Sequence, residues 1–331
     1  MSNDKSNNLT EKGLNVLSLF DGISCGRVAL ERAGIKVNAY HASEVNPYSI
    51  EIAKKNYEDT VEIGDVREVD GTKYKDFDIL IGGSPCQNFS MCGKAKGAVT
   101  KEGIQVTTLE QYLKLKEEGF EFEGFSYLFW EYVRILKEMK PTFFLLENVK
   151  MSKKWERVIT NTLGVEPIEI NSGLVSAQNR PRLYWTNIPG VEQPKDKGLY
   201  LKDILKDTYS NKEVLSQKIQ DRFVVLENST YAYGTTKPEF RTIGQRDYVF
   251  GDDYKMGCLV ATDYKQPKQV YHNGVLRKIS PEEAEVLQTL PEGYTSGISN
   301  SRRFECIGNG WTVDVIAHIL SCMKKDLNKN R

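Results

Sequence analysis

Short apolar runs that break at glycine or at an acidic residue recur through the first half of the chain. Each reads as a buried strand followed by a turn. Leu14–Leu19 runs into Phe20-Asp21-Gly22-Ile23-Ser24-Cys25-Gly26, and Val28, Ala29 and Ala33 then fall at helical spacing until Gly34. Val37–Ser43 predicts a second strand ending at Glu44, and Asn46-Pro47 predicts the cap of a helix reaching about Asn56. Val61–Ile63 leads into Gly64-Asp65-Val66, and Asp78–Gly83 ends in two glycines ahead of Ser84-Pro85-Cys86. Thr107-Thr108-Leu109-Glu110 reads as a capping box for a short helix that stops before Gly119. From Ser126 onward Leu128, Phe129, Tyr132, Ile135, Leu136 and Met139 share one helical face, and Thr142–Leu146 is an apolar strand closed by Glu147-Asn148-Val149. Strands alternating with helices predict an α/β fold with a doubly wound, mostly parallel sheet.

The second half is less regular. Between Ile188 and Leu276, Cys258-Leu259-Val260-Ala261-Thr262 is the clearest strand. Ser280-Pro281-Glu282-Glu283 caps another helix, and Val313, Ile316, Ala317 and Leu320 form the apolar stripe of a last one. Packing of that last helix near the N-terminal strands makes the first domain discontinuous. The expected division is a disordered tail over 1–12, a main domain over 13–187 and 277–325, and a smaller irregular domain over 188–276.

A chain of 331 residues with 40% apolar and 27% charged residues can bury a sizeable core as one large or two modest domains. It has no apolar run long enough to span a bilayer, and its first ten residues are polar, unlike a signal peptide. The six cysteines have no CxxC spacing and no nearby histidines, which argues against zinc or a disulfide framework and fits a reducing cytoplasm. Basic and acidic residues balance at 45 each. Between Asn211 and Ser280 eleven basic residues face eight acidic ones, a tilt compatible with phosphate contacts and equally with a solvated face.

The chemistry gathers at predicted strand ends. Cys86, just past a strand and held by Pro85 in a turn, is either a nucleophilic thiol or a small buried hydrophobe. Glu44 at the end of the second strand is where a carboxylate can accept both hydroxyl protons of a ribose, and Asp65 can accept from an adenine amino group. The turn after Leu19 lacks both the full GxGxxG pattern and the lysine of a phosphate-binding loop, so an adenosine cofactor bound without phosphates fits best. Met91–Thr107, with Gly93, Gly97, Gly103, Lys94, Lys96 and Lys101, reads as a mobile basic loop beside the thiol.

Taken together, Pro85-Cys86-Gln87, Glu147-Asn148-Val149 and Gln178-Asn179-Arg180-Pro181-Arg182 resemble the central motifs of the cytosine-5 DNA methyltransferases. Phe20–Gly26, Glu44 and Asp65 resemble the family's first three motifs, Arg277–Ala284 with Leu287-Gln288 its ninth, and Gly308-Asn309-Gly310-Trp311-Thr312-Val313 its tenth. The motifs stand in family order from Leu14 to Leu320. Ser24 and Cys25 occupy places where the first motif usually has glycine, a form that, with Trp311, resembles the branch of the animal de novo methyltransferases.

The resemblance implies a class I, Rossmann-like methyltransferase domain, a small target-recognition domain, and S-adenosylmethionine as methyl donor. It assigns the nucleophile to Cys86, the acid facing cytosine nitrogen 3 to Glu147, the cytosine carbonyl contact to Arg182, and a brace on Glu147 and the thiolate to Arg180. The cofactor falls to Phe20, Asp21, Gly22, Ile23, Ser24, Cys25, Glu44, Asp65, Val66, Leu128, Asn309, Gly310 and Trp311. The target base falls to Pro85, Gln87, Ser90, Asn148 and Gln178, and no metal is implied. Arg241, Gln245, Arg246, Lys265 and Gln266 are candidates for reading base edges. The implied partner is duplex DNA, from which the target cytosine is swung out. A cognate restriction endonuclease, a monomeric state and a bacterial or phage-encoded cytoplasmic activity accompany it. A transfer-RNA methyltransferase and a catalytically inactive DNA-binding relative are the alternatives.

Overall fold

The computed structural model describes residues 13–85, 97–237 and 243–329. Cys86, Gln87, Ser90, Arg241 and the 1–12 tail lie outside the described residues.

The chain divides into two compact units, one over 1–170, 181–193 and 317–331, the other over 171–180 and 194–316. Residues 277–316, expected with the main domain, group with the second unit, as do 171–180.

The strands of the main sheet are β1 (Leu14–Leu19), β2 (Val37–Ser43), β3 (Val61–Glu62), β4 (Ile79–Gly83), β5 (Phe143–Val149), β6 (Ile168–Asn171) and, after the short β7 (Gln178–Asn179), β8 (Pro181–Thr186). Their order is β3-β2-β1-β4-β5-β8-β6. The pairs β2–β3, β1–β2, β1–β4 and β4–β5 are parallel and β5–β8 is antiparallel. The strand order reverses between β1 and β4, which puts the carboxyl ends of both strands at the place where open α/β sheets bind ligands. Covered on both faces, β1 and β5 show the continuous apolar pattern that a parallel sheet requires.

Helix α1 (Cys25–Arg32) follows β1, and α2 (Pro47–Asn56) begins as predicted, with Asn46 Oδ1 accepting from the amides of Tyr48 and Ser49. In α3 (Leu109–Glu117) the cap is Thr108, whose hydroxyl accepts from Gln111 N at 3.1 Å, while Gln111 Oε1 accepts from Thr107 N at 3.0 Å; this replaces the box expected between Thr107 and Glu110. Helix α4 (Phe129–Met139) buries Phe129, Trp130, Tyr132, Val133, Ile135 and Met139. At about 1.5–3 kcal/mol for each large side chain, this face is a principal anchor of the unit's core. Helix α5 (Lys153–Leu163) follows β5.

The predicted loop over Met91–Thr107 is corrected from Gly97 onward. Ala98, Val99, Thr100 and Val106 are buried, Val106 N donates to Ala98 O at 2.9 Å, and Val99 pairs with Gln105. Gly97, at φ +71°, lies so close to Trp155 that a Cβ would fall 1.9 Å from the indole. The lysines and glycines suggested mobility, but the small apolar residues between them are what the core takes up.

The second unit carries α6 (Gln217–Gln220), β9 (Val224–Val225), β10 (Gly234–Thr235), β11 (Tyr248–Gly251), β12 (Met256–Gly257), β13 (Gln269–His272), β14 (Val275–Lys278), α7 (Pro281–Leu287) and α8 (Asn300–Asn309). The last helix, α9 (Val313–Lys329), passes from this unit into the first. Strands order as β14-β13-β11-β10-β9, with β12 against β7. Ser280 caps α7 reciprocally with Glu283 and Pro281 at its start, as predicted. From Ala317 onward α9 belongs to the first unit, and Lys324 Nζ would lie 2.7 Å from a Cβ at Gly34.

The predicted strand Cys258–Thr262 is corrected to a loop running into a 3-10 turn at Ala261–Tyr264. Its backbone groups find side chains in place of a ladder: Leu259 N donates to Gln178 Oε1 at 2.8 Å and Val260 N to Asp263 Oδ2 at 2.9 Å. Gly308 of α8 presses on this loop, where a Cβ would stand 2.3 Å from the Val260 carbonyl carbon. The run is apolar because Leu259 is core.

Candidate active site

At the end of β1 the chain turns through three left-handed residues, Phe20 (φ 57°), Gly22 (φ 60°) and Ser24 (φ 58°). Only glycine adopts that conformation at no cost, so Ser24 at a usual glycine place carries strain on the order of 1 kcal/mol. Its hydroxyl does not cap α1 and donates instead to Asp21 Oδ2 at 2.6 Å. Ser18 Oγ and Tyr40 OH donate to Asp21 Oδ1, also at 2.6 Å. Burial raises the Asp21 pKa against the pull of these three hydroxyls. Gly22 N donates to Glu44 Oε2 at 2.8 Å, while Val45 N and Asn46 N donate to Glu44 Oε1 at 2.8 Å, so the carboxylate is locked at the end of β2.

At the end of β3, Asp65 accepts from the Arg67 side chain at 3.0 Å and from its backbone N–H. Those bonds hold the carboxyl below its usual range. Val66 is buried, and Phe20 and Leu128 pack against the same core.

Sequence reading missed two neighbours of this turn. Val45 follows Glu44 and is 66% exposed, an apolar side chain set at the rim of the carboxylate site. Glu62 has both carboxyl oxygens buried without a hydrogen-bond partner among the described residues. Burial, Asp21 and Glu44 push its pKa up to about 7 against the pull of Lys54. A carboxylate on a short edge strand reads as solvent-facing in sequence, so no pattern there announces it. A carboxylate fixed at the end of β2 beside a tight glycine turn fits the ribose end of an adenosyl group.

The second cluster stands at the ends of β4 and β5. Gly83 pairs with Glu147, and the described chain continues through Ser84 and Pro85 to within one residue of Cys86. Asn148 Nδ2 donates to Ser84 O at 3.2 Å and Ser84 Oγ at 3.0 Å, and Asn148 Oδ1 accepts from Val149 N. Asn148, expected at the target base, is 1% exposed and fully committed to this tie. Arg182, opposite Val149 on β8, places its Nε 2.9 Å from Glu147 Oε1, with both side chains nearly buried.

The brace on Glu147 expected of Arg180 falls instead to Arg182, its ion-pair partner. Arg180 is 4% exposed and spends its guanidinium on the carbonyls of Leu259 (2.6 Å), Gly308 (3.2 Å) and Gly310 (2.9 Å) within the second unit. Gln178, expected at substrate, is 0% exposed; its amide serves Leu259 N, Leu287 O and Gln288 Oε1. Gln288 Nε2 holds Ile307 O and Gly310 O, and the Thr312 hydroxyl donates to Gln288 Oε1. Together these contacts fix the turn that carries Asn309, Gly310 and Trp311, of which Asn309 is exposed and Trp311 half-buried.

A profile of the family described as C-5 cytosine-specific DNA methylase matches residues 14–164 and 174–325. The chain belongs to the C-5 cytosine-specific DNA methylases. The enzyme transfers a methyl group from S-adenosylmethionine to carbon 5 of cytosine in DNA. Similar methylases include the type II methyltransferase M1.ScrFI of Lactococcus lactis subsp. cremoris, 28% identical over 96% of this chain and 79% of its own. The type II methyltransferase M.HhaI of Haemophilus parahaemolyticus is 25% identical over 96% of each chain. Among solved structures, the S. pombe Dnmt2 methyltransferase superposes with a TM-score of 0.65 at 16% identity, covering 95% of this chain and 99% of its own. That likeness speaks for the shared methylase fold. Among the described residues no helix is long and apolar enough to cross a membrane.

Proposed function

We propose that Cys86, Glu147 and Arg182 carry out the methylation of a cytosine extruded from duplex DNA. The observation supporting this most directly is the Glu147–Arg182 ion pair at 2.9 Å, set in register with Gly83, three residues before Cys86. In this reading the Cys86 thiolate bonds to carbon 6, and the ring electrons move toward carbon 5 and nitrogen 3. Glu147 meets the charge at nitrogen 3 with a proton, while Arg182 holds the carboxyl in line and offers its remaining N–H groups to the cytosine carbonyl oxygen. S-adenosylmethionine, when bound, would supply the methyl group that carbon 5 takes, its S–methyl bond breaking with the electron pair left on sulfur as a neutral thioether. Loss of the carbon 5 proton to a base then expels Cys86 as thiolate, and nitrogen 3 returns its proton to Glu147, which regenerates the ring.

Glu44, with the Phe20–Cys25 turn, would hold the ribose, and Asp65 and Val66 the adenine. Pro85, Gln87 and Ser90 would line the pocket for the extruded base. Arg180, Gln178 and Asn148 act at one remove, by fixing backbone. The names of similar proteins, type II methyltransferases, support a place beside a cognate restriction endonuclease. In this reading the enzyme acts as a monomer on bacterial or phage DNA in the cytoplasm.

The test is incubation with methyl-labelled cofactor and either duplex DNA or transfer RNA. Label is expected in the DNA; label confined to transfer RNA would overturn the substrate assignment.

A further inference from the structure

The second unit holds a cavity of about 710 Å³ that the methylation chemistry above does not use. Its described walls all belong to that unit, and its size falls within the roughly 300–1,000 Å³ typical of small-molecule sites. Three half-buried tyrosines form one side. Tyr233 and Tyr271 stack with ring centroids 5.5 Å apart, and Tyr254 crosses Tyr233 at 62° with centroids 6.2 Å apart. Gly251, at the end of β11, lets Tyr233 lie close, since a Cβ there would stand 3.1 Å from the Tyr233 Cβ. A fourth tyrosine, Tyr200, already carries cations: Lys255 Nζ lies 5.2 Å and Lys202 Nζ 5.8 Å from its ring centroid.

The charges of the lining select the ligand. Among the described lining residues Lys255 is the one cation, and its ammonium is fully engaged. Its Nζ donates to Gly173 O at 2.6 Å, Leu199 O at 2.7 Å and Ser176 O at 3.3 Å, which accounts for all three N–H groups. An anionic ligand would therefore find no ammonium turned toward it. Asp252 and Asp253 are different. Asp252 Oδ1 lies 2.5 Å from His272 Nδ1, and Asp253 Oδ1 accepts from Lys202 Nζ at 2.8 Å, which leaves Oδ2 of each without a hydrogen bond to a described residue. Separate partners hold the two carboxylates apart. Among the described residues no three His, Cys, Asp or Glu side chains are grouped to hold a metal ion.

We infer that this cavity binds a linear aliphatic polyamine, with ammonium groups on Asp252 and Asp253 and methylenes lying across Tyr233, Tyr254 and Tyr271. A tyrosine face attracts an ammonium through its negative quadrupole and gives the neighbouring methylenes an apolar surface to cover. A hard inorganic cation would gain from the carboxylates and nothing from the rings. A single alkylammonium head would reach one carboxylate and leave the other unmet. A chain with charges several methylenes apart engages both carboxylates and the ring faces between them. The Tyr200 ring, with a lysine ammonium near it on each of two counts, has the same chemistry built from the protein's own side chains.

The experiment is calorimetric titration of the full-length enzyme with spermidine, without DNA so that the polyamine has no polyanion to bind. One saturable site is expected. Tyr254→Leu should weaken it by about 2- to 30-fold, the range of a ring–cation contact. Asp252→Asn combined with Asp253→Asn should weaken it by about tenfold or more. Should that pair fail to fold, Asp253→Asn alone, at a side chain 79% exposed, should still weaken binding by about two- to fivefold. Tetramethylammonium and Mg²⁺, titrated in parallel, should bind more weakly than spermidine. No saturable binding of spermidine, or an affinity that none of the variants changes, would overturn the assignment. So would tetramethylammonium binding as tightly as spermidine, which would reduce the site to a cage for one cationic head, or Mg²⁺ doing so, which would reduce it to an acidic cluster.

Discussion

Asn148 donates its side-chain amide to both the carbonyl and the hydroxyl of Ser84, at 3.2 and 3.0 Å, and so fastens the end of β5 to the turn that leads into Cys86. Both residues are buried, so neither group has water to fall back on. The ends of β4 and β5 are thus joined by this tie as well as by the sheet pairing of Gly83 with Glu147.

Asn148→Ala should leave the buried Ser84 groups unpaired and lower stability by about 1–3 kcal/mol. It should also slow the single-turnover rate at saturating DNA, since the root of the Cys86 segment is no longer fixed. Thermal unfolding and rapid-quench methylation measure the two effects separately.

The Arg182–Glu147 pair predicts an ordered series of losses. Glu147→Gln removes the proposed proton source and should cut the single-turnover rate by about 10²- to 10⁴-fold. Arg182→Lys keeps the charge but not the planar Nε geometry, and about a tenfold loss is expected. A lysine variant as fast as the wild type would mean that the ion pair at 2.9 Å has no part in positioning Glu147.

Glu62 makes stability depend on pH. Its folded pKa, raised from 4.5 to about 7, lies above the unfolded value, so its contribution is fully present below pH 4.5 and is lost as pH rises through 7. Relative to Glu62→Gln, the wild type should lose on the order of 1 kcal/mol between pH 5 and pH 8, allowing for solvent screening. Urea unfolding of both proteins across that range checks it, and parallel curves would refute it.

The alternating first half of the fold was legible because a parallel sheet buries its strands on both faces, which prints continuous apolar runs between glycine-marked turns. Leu14–Leu19, Val37–Ser43 and the caps at Asn46 and Ser280 all appear in the structure. The failures share one cause. Cys258–Thr262 looked like a strand, yet its backbone is satisfied by Gln178 and Asp263, residues 81 and 3 positions away in sequence. Which arginine reaches Glu147 was likewise hidden, because Arg180 and Arg182 differ by one full pleat and only the β5–β8 register separates them. Glu62 was missed because periodicity does not report which short edge strand is covered.

Arg180→Met should destabilise the protein without a matching specific effect on chemistry. Its guanidinium serves three backbone carbonyls, and those of Leu259 and Gly308 would be left without it. A loss of about 2–5 kcal/mol is expected in urea unfolding. Where the variant stays folded at low temperature, its single-turnover rate should exceed that of Glu147→Gln.

The most direct test of the account is covalent capture on a duplex carrying 5-fluorocytosine at the target, where fluorine at carbon 5 blocks the final elimination. With cofactor present, the wild type should form an adduct that survives denaturation, Cys86→Ala should form none, and peptide mapping should place the link on Cys86. An adduct retained in Cys86→Ala, or none in a wild type that methylates ordinary DNA, would contradict the assignment of Cys86 as nucleophile.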